Sequence, residues 1–364
     1  MSCMKVLSRI ILLNILMVFL FGGCTQVPDE NNNGGNHSQK PKETASPTLK
    51  KKRAKTQIGI WYSVWYSNGS GNSANENFWN SENIYYKPLL PDGSYGRYDS
   101  LDDEIIQFHL HELTTAQIDF IIMDQTNDID VAGGYINQRA LKMAKSIMKW
   151  NDNKENRPIK YCSAIGVFAA IKKDLSIIES EAKIIWERYI ERNWGTEDYH
   201  IYVDGKPLLV IFETTKEQWD AYDGDKTYAD KFTLRFAIGH ARQPGYWGWV
   251  MPEGTLVSED VATIMPGWYK FNFAAEKVYR NRGEWYKKAW ETLLKSEIVP
   301  DFVVINSFNE YAEHTAVFSA DTSDFPDDYP IEKWIDKDGN PAPSLYWDMT
   351  KVYIQKYKEG HTGE

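Results

Sequence analysis

Two glutamates three residues apart, Glu310 and Glu313, stand out because an apolar run ends just before them. Residues 302–305 read Phe-Val-Val-Ile, and residues 307–315 continue as SFNEYAEHT. Three positions apart on a helical turn, two side chains share one face with Cβ atoms about 5–6 Å apart. Two carboxylates at that range repel each other when both are ionised, so the pKa of one should rise. A protonated acid beside an ionised carboxylate is the pair that cleaves glycosidic bonds.

The spacing E-x-x-E is also common on solvated helix faces. Whether these two glutamates take part in a reaction therefore depends on where the fold places them. A rival pairing joins Glu310 to Glu213, which follows another apolar run. Asp124 ends a third such run and could hydrogen-bond sugar hydroxyls or a neighbouring loop. Carboxyl groups about 5–5.5 Å apart favour retention of configuration and wider gaps favour inversion. Sequence spacing does not fix that distance.

Eight short apolar runs, mostly alternating with amphipathic stretches, predict parallel strands joined by helices. They cover residues 57–66, 118–124, 159–168, 206–214, 232–239, 246–252, 259–268 and 301–308. Several are almost wholly apolar, as strands are when both faces of a parallel sheet are covered. The pattern predicts a single α/β domain, a (β/α)8 barrel of the TIM type, over residues 57–360. Catalytic groups of such barrels lie at the carboxyl ends of strands, where Glu310 and Glu313 fall.

The 14 Trp and 22 Tyr residues favour a carbohydrate ligand, because their flat apolar faces stack on sugar rings. The candidate sugar contacts lie at strand ends or flank the glutamates: Tyr62, Trp65, His240, Trp268, Asn309 and Tyr311. Packing in the core is the alternative for the aromatic members, since neighbours on a strand point to opposite sides. Trp247 and Trp249 share a strand face and could fill the barrel interior.

The N-terminal part has the features of an exported lipoprotein. Residues 1–23 combine a basic start, a short apolar stretch and a Gly-Gly pair before Cys24, which we expect to carry lipid. Residues 24–56 are poor in large apolar residues and predict a flexible tether. The protein would then be anchored at the outer membrane, periplasmic or cell-surface face. With 51 acidic and 41 basic residues, nucleic acid is not an expected partner. Cys162 has no second mature cysteine for a disulfide.

Several segments resemble glycoside hydrolase family 99 and its relatives, whose best-known members are endo-α-mannosidases. SFNEYAEHT stands where the family carries S-F-N-E-W-H-E-G-T. IGIWYSVWYSNG, DGKPLLVIFET and IMPGWYKFN resemble the family's first strand, fourth strand and P-G-[WY] turn. The resemblance implies a (β/α)8 barrel, net retention of configuration, and neither metal nor organic cofactor. It also implies that Glu310 assists the sugar 2-hydroxyl as an internal nucleophile, and that Glu313 is the general acid and base.

The departures from the family pattern affect substrate contacts rather than the two acids. Tyr311 and Ala312 replace Trp-His, His314 replaces glycine, and the second strand ends in MDQTND instead of S-W-[YW]-G. Mannoside specificity therefore does not transfer. We expect a monomeric, retaining glycoside hydrolase that cleaves a mannoside-like or related oligosaccharide or polysaccharide. The alternatives are a carbohydrate-binding lipoprotein without turnover, and glycosyl transfer in polysaccharide assembly.

Overall fold

Short strands and helices alternate along most of the chain. The computed structural model describes residues 45–67, 79, 84–127, 129, 131–166, 174–191, 199–271 and 276–363. Its strands are β1 (Gln57–Ser63), β2 (Lys87–Pro88), β3 (Phe120–Asp124), β4 (Lys160–Gly166), β5 (Tyr202–Val203), β6 (Lys206–Phe212), β7 (Thr233–Ala237), β8 (Val261–Ile264), β9 (Phe302–Ile305) and β10 (Ala320–Asp321). Its α-helices are α1 (Pro47–Arg53), α2 (Asp103–Thr115), α3 (Val131–Asp152), α4 (Ser176–Ile185), α5 (Lys216–Ala221), α6 (Glu284–Lys295) and α7 (Leu345–Glu359).

Seven of the strands form one parallel sheet in the order β7-β6-β4-β3-β1-β9-β8. The short strand β5 pairs antiparallel with β6, and β2 pairs with β10 in a separate two-stranded sheet. Neighbouring strands of the parallel sheet are joined through helices, for example α2 between β1 and β3 and α3 between β3 and β4. The α/β class and the parallel sheet predicted from the sequence are therefore confirmed.

Alternation along the strands divides the core into two layers. Trp61 and Phe120 belong to an inner cluster that joins side chains of β6 to those of β8, near opposite ends of the strand order. The sheet must be curled for these strands to share one cluster. Tyr62 and its neighbours in register point the other way, into an outer layer covered by helices. Glycine is required at position 59 in the inner layer, because the Cβ of any other residue would lie 2.3 Å from Phe120 Cζ.

The segment predicted as a sixth strand, 246–252, is irregular. Trp247 N donates to Phe236 O of β7 at 2.9 Å, and Thr263 Oγ1 of β8 donates to Tyr246 O at 2.7 Å. The segment therefore lies between β7 and β8 without forming a ladder with either. Its backbone explains the difference, since φ is +93° at Gly245 and +48° at Trp249, outside the extended region.

Residues 45–56, which the sequence placed in the tether, pack onto the described fold. Arg53 at the end of α1 is fully buried. Its guanidinium donates to Leu294 O at 2.9 Å and to His361 O at 2.6 Å. The lysines of the run Lys50–Arg53 are exposed, so they form the solvated face of α1, while the last member of the run is anchored. The fold thus starts earlier than residue 57.

The predicted signal peptide (1–23), Cys24 and tether residues 24–44 lie outside the described residues. Within the described part of the chain, no helix combines the length and apolar character needed to cross a membrane. Export and lipid attachment therefore remain predictions from the sequence.

Removing α1 should destabilise the protein, whereas removing the residues before it should not. A chain that starts at residue 57 leaves the two carbonyls bound by Arg53 without their donor, which we expect to cost about 2–4 kcal/mol. Its thermal midpoint should fall by roughly 3–6 °C relative to a chain that starts at residue 45. Thermal unfolding of the two chains measures the difference, and Arg53→Ala in the longer chain should reproduce most of it. Equal thermal midpoints for the two chains would show that residues 45–56 belong to the flexible tether and do not stabilise the fold.

Candidate active site

The candidate site lies at the carboxyl ends of β1, β3 and β9. Ser63 ends β1 and is paired in register with Asp124, which ends β3. Ser63 Oγ donates to Glu310 Oε2 at 2.9 Å. Because Trp61 points inward, Ser63 points to the same side two residues later. The alternation of one strand therefore places a hydroxyl against the first glutamate of the pair.

The turn that carries both glutamates is fastened to β1 by Asn309. Asn309 Oδ1 accepts from Ser63 N at 2.8 Å, and Nδ2 donates to Ser63 O at 2.9 Å. Ser307 Oγ accepts from Glu310 N at 2.8 Å and so caps the start of the turn. Asn309 is fully buried, so it holds the backbone rather than a sugar. Its predicted role as a substrate contact is not supported by its position.

Glu310 is buried, with 4% of its surface exposed. Its Oε1 accepts from Ala312 N at 2.9 Å and from Glu313 N at 3.2 Å. The pKa of Glu310 is raised to about 8, mainly by burial and also by the negative charges of Glu313 and Asp124, and the Ser63 hydrogen bond and the charge of Lys270 act against this rise. The rise in one pKa of the pair agrees with the prediction, but burial contributes more than the repulsion on which that prediction was based.

Glu313 lies in a different environment three residues later. Its side chain is 20% exposed, and its Oε1 accepts from Lys270 Nζ at 3.2 Å in an ion pair. Its Oε2 accepts from Trp249 Nε1 at 2.5 Å and from Trp268 Nε1 at 3.1 Å. Two indole N–H groups and an ammonium are donors suited to an ionised carboxylate. Trp268 therefore contributes an N–H donor to the site, where the sequence predicted a stacking face.

Asp124 completes a group of three carboxylates. It is 4% exposed, and its Oδ1 accepts from Thr126 N at 3.1 Å and Thr126 Oγ1 at 2.8 Å. The pKa of Asp124 is raised to about 7, mainly by burial; the hydrogen bonds from Thr126 and the charge of Lys270 act against the rise, and the charge of Glu313 contributes to it. The charge of Glu313 thus acts on both Asp124 and Glu310, and that of Asp124 acts on Glu310, so the three carboxyl groups lie within electrostatic range of one another.

Glu213 and His240 lie along the same edge of the sheet, after β6 and β7. Glu213 Oε1 accepts from Gly239 N at 2.8 Å, and a Cβ on Gly239 would lie 2.7 Å from that oxygen. The His240 ring contacts Trp268 edge-on at 4.6 Å between centroids. Burial lowers the pKa of His240, while Glu313 and Glu213 act to raise it. The carboxylates acting on Glu310 are Glu313 and Asp124, so this geometry favours them over the rival partner Glu213.

Three aromatic residues predicted to contact substrate lie in the outer core instead. Tyr62 bonds His109 Nδ1 through its hydroxyl at 2.8 Å and stacks on Phe308. Tyr311 is fully buried among aromatic rings, and Trp65 is 5% exposed in the same layer. For Tyr62 the reason is strand alternation, because inward-facing Trp61 and Ser63 force it towards the helices. The positions of Tyr62, Trp65 and Tyr311 therefore contradict the prediction that these side chains contact substrate.

His314 occupies the position at which the family pattern has glycine, and its backbone explains the preference. Its φ is +55°, in the left-handed region that glycine adopts most easily. His314 Nδ1 bonds the Tyr86 hydroxyl at 2.9 Å, and Nε2 bonds the Tyr329 hydroxyl at 3.2 Å. Burial lowers its pKa to about 3, so the ring is neutral. Two tyrosine hydroxyls thus hold a side chain at this turn position.

Sequence reasoning missed Ser63 and Lys270 and weighed Trp249 only as barrel filling. Ser63 could have been found, because it is in phase with inward-facing Trp61. Lys270 and Trp249 reach Glu313 from the irregular segments around β8, which carry no periodic pattern. Within the described residues, no group of three or more His, Cys, Asp or Glu side chains is arranged to hold a metal ion.

The buried carboxyls should make the protein more stable in mild acid than in mild base. Asp124 and Glu310 have pKa values of about 7 and about 8 in the folded protein, against about 4 in an unfolded chain. The folded state therefore holds protons that the unfolded state has lost, and stability falls as pH rises from about 5 to about 8. Thermal midpoints of wild type and Asp124→Asn across this range should diverge, with the variant losing less. Parallel curves would contradict the assignment.

Comparison with known proteins places the fold. No protein-family model matches the chain, and none of the curated proteins matches it in sequence. A solved structure of the GH99 endo-α-mannosidase from Bacteroides thetaiotaomicron, in complex with bis-tris propane, is similar at 17% identity with a TM-score of 0.58. The match covers 84% of this chain and 98% of that one. A second structure of the GH99 endo-α-mannosidase from this organism matches at 16% identity with a TM-score of 0.53, over the same shares.

At these identities the likeness concerns architecture. The curled parallel sheet and its helices correspond to those of the endo-α-mannosidase over nearly its whole length. The resemblance inferred from the sequence motifs is thereby confirmed at the level of structure: this chain shares its fold with GH99 endo-α-mannosidases.

Proposed function

We propose that the protein is a retaining glycoside hydrolase that uses Glu310 and Glu313 on an oligosaccharide or polysaccharide. The observation that carries the proposal is the contrast between the two glutamates. One is buried with a raised pKa, and the other is partly exposed beside a lysine. Glycosidic cleavage uses one carboxyl group that holds a proton beside a second that acts as base or nucleophile. The fold shared with a GH99 endo-α-mannosidase supports the same class of reaction.

Hydrolysis at such a pair replaces the leaving oxygen on the anomeric carbon with the oxygen of water. The bond between the anomeric carbon and the leaving oxygen breaks, and the leaving oxygen takes a proton from one carboxyl group. Water gives its oxygen to the anomeric carbon and its proton to a carboxylate. Retention requires two displacements at the anomeric carbon, with the first made by a carboxylate or by an internal hydroxyl that it deprotonates.

The scaffold that we propose for this reaction is a (β/α)8 barrel in which segment 246–252 closes the gap between β7 and β8.

The electrostatics of the free site favour Glu310 as the proton donor. Burial raises its pKa to about 8, so it holds a proton at neutral pH, whereas Glu313 lies beside the Lys270 ammonium at 3.2 Å. The sequence resemblance implies the opposite allocation, with Glu310 as base and Glu313 as acid. We adopt the allocation that burial and charge support.

The setting we propose is the one read from the N-terminal sequence: an exported monomer, tethered by lipid on Cys24, acting on an external glycan. Metabolic labelling with a lipid precursor, lost in Cys24→Ser, would test the anchor. No label in the wild-type protein would refute it.

A glycan panel tests the function. Purified protein is incubated with α-mannans and other neutral and amino-sugar oligosaccharides, and the products are separated and counted. Hydrolysis with an initial product that keeps the anomeric configuration, detected by NMR, is the expected result. Binding of a glycan without cleavage would replace the proposal with the carbohydrate-binding alternative, and products seen only with a competing acceptor would replace it with glycosyl transfer.

A further inference from the structure

The two carboxylate oxygens of Glu313 accept hydrogen bonds from different donors. Oε2 accepts from two indole N–H groups, Trp249 Nε1 at 2.5 Å and Trp268 Nε1 at 3.1 Å. Oε1 accepts from Lys270 Nζ at 3.2 Å. A carboxylate oxygen has about two acceptor positions. Within the described residues, both positions of Oε2 are therefore filled, and one position of Oε1 is left for a reacting group.

The two indoles cannot follow a moving carboxylate, because the core holds both of them. Trp249 is 5% exposed and Trp268 is 3% exposed. The Trp249 ring contacts the rings of Trp61 and Phe212, each with 4.8 Å between centroids. Trp268 exchanges two backbone hydrogen bonds with Val278, at 2.9 Å and 2.8 Å. The two N–H groups therefore hold the glutamate oxygen at one place.

The backbone at Trp249 is in an unfavourable conformation. Its φ is +48°, in the left-handed region that bulky residues seldom adopt. Trp249 N donates to Asn306 Oδ1 at 2.7 Å, and Asn306 is fully buried. Residues held in such strained conformations cluster at active sites. The chain thus accepts backbone strain at the residue that orients Glu313.

We propose that Trp249 and Trp268 are positioning residues, which hold Glu313 by Oε2 so that Oε1 is the oxygen that reacts. The inference deepens the proposed glycosidase function and rests on it. An indole N–H is a donor only, and hydrogen bonds to a charged carboxylate favour its ionised form. Oε1 is then in place as base or nucleophile before a glycan binds, with the Lys270 ammonium beside it.

Trp249→Phe and Trp268→Phe remove the two donors one at a time. Each change should misplace Oε1 and lower kcat about tenfold on the cleaved member of the glycan panel, with little change in KM. The acid limb of the pH dependence of kcat/KM should move to higher pH by about one unit, because the ionised carboxylate loses a charge-assisted hydrogen bond. A purely structural role would not move this limb.

Trp247→Phe is the matched control from the same segment. Trp247 is fully buried, and its Nε1 donates to Asp260 Oδ2 at 2.8 Å. Asp260 directly precedes β8, at the edge of the sheet opposite the site, so this variant should lower the thermal midpoint but not kcat. Benzothienylalanine in place of Trp249 exchanges the N–H for sulphur at nearly the same shape. It decides the test if a phenylalanine variant is not folded.

Wild-type kcat in either folded variant would overturn the inference, and so would an unmoved acid limb or an equal loss of kcat in Trp247→Phe. The proposed function fails separately. If wild type cleaves a glycan and Glu313→Gln stops the cleavage, the glycosidase stands whatever the tryptophan variants do. If wild type cleaves no glycan, the enzymatic function falls and the inference falls with it.

Discussion

Glu310→Gln and Glu313→Gln should each lower the rate of glycan hydrolysis by about 10²–10⁴-fold, the usual contribution of a positioned acid or base. An amide keeps the size of each side chain but cannot exchange a proton with the leaving oxygen or with water. At position 310 the amide oxygen can replace Oε1 and accept from Ala312 N and Glu313 N, while the amide nitrogen can donate to Ser63 Oγ, so the fold should persist. Initial rates on the cleaved member of the glycan panel, with the thermal midpoint of each variant, measure both effects.

A matched control separates this loss from a general effect of removing negative charge. Glu276 is 78% exposed and ion-paired with Arg242 on the surface, and Glu276→Gln should leave rate and thermal midpoint unchanged. Full activity in a folded Glu310→Gln or Glu313→Gln variant would remove that residue from the mechanism.

The leaving group can identify which glutamate supplies the proton. A dinitrophenyl glycoside departs without protonation, so the variant that lacks the acid should recover much of its rate in the bond-breaking step on this substrate. The allocation favoured by burial predicts recovery in Glu310→Gln and little in Glu313→Gln. Recovery in Glu313→Gln alone would restore the allocation implied by the sequence resemblance.

The location of the site could be predicted because it depends on periodicity. Apolar runs mark the strands, parallel strands end at one edge, and that edge collects Asp124, Glu213 and the 307–315 turn. The class of fold follows from the same pattern. Alternation alone does not say whether the Tyr62 side chain points to the inner layer or to the helices outside the sheet. The inward direction of Trp61 decides this, because neighbours on a strand point to opposite sides.

The remaining features arise where no period exists. Trp249 reaches Glu313 from segment 246–252, where the positive φ of Trp249, and that of Gly245 just before the segment, break the expected strand. Lys270 reaches it from the irregular stretch after β8. Arg53 is anchored within a lysine-rich run that composition classifies as a tether. Contacts of this kind join segments that are far apart in sequence, so a single sequence carries no local trace of them.

Arg280 should be the residue outside the carboxylate group whose loss most affects the site. It is 1% exposed, and its NH2 group donates to His314 O and to Ala316 O, each at 2.7 Å. The guanidinium carbon lies 4.3 Å from the centroid of the Tyr346 ring. Arg280 therefore fixes the far end of the turn that presents both glutamates.

Arg280→Ala leaves two buried carbonyls without a donor, which we expect to cost about 2–5 kcal/mol and to lower the thermal midpoint by roughly 3–8 °C. Below that midpoint, kcat should fall more than KM rises, because the glutamates move while the rest of the cleft remains. Arg280→Lys should recover part of both losses. The exposed Arg242 provides the control, and Arg242→Ala should change neither quantity. Loss of a stabilising contact that leaves the turn in place would lower only the thermal midpoint. A folded Arg280→Ala variant with wild-type kcat would therefore show that the turn holds its shape without this arginine.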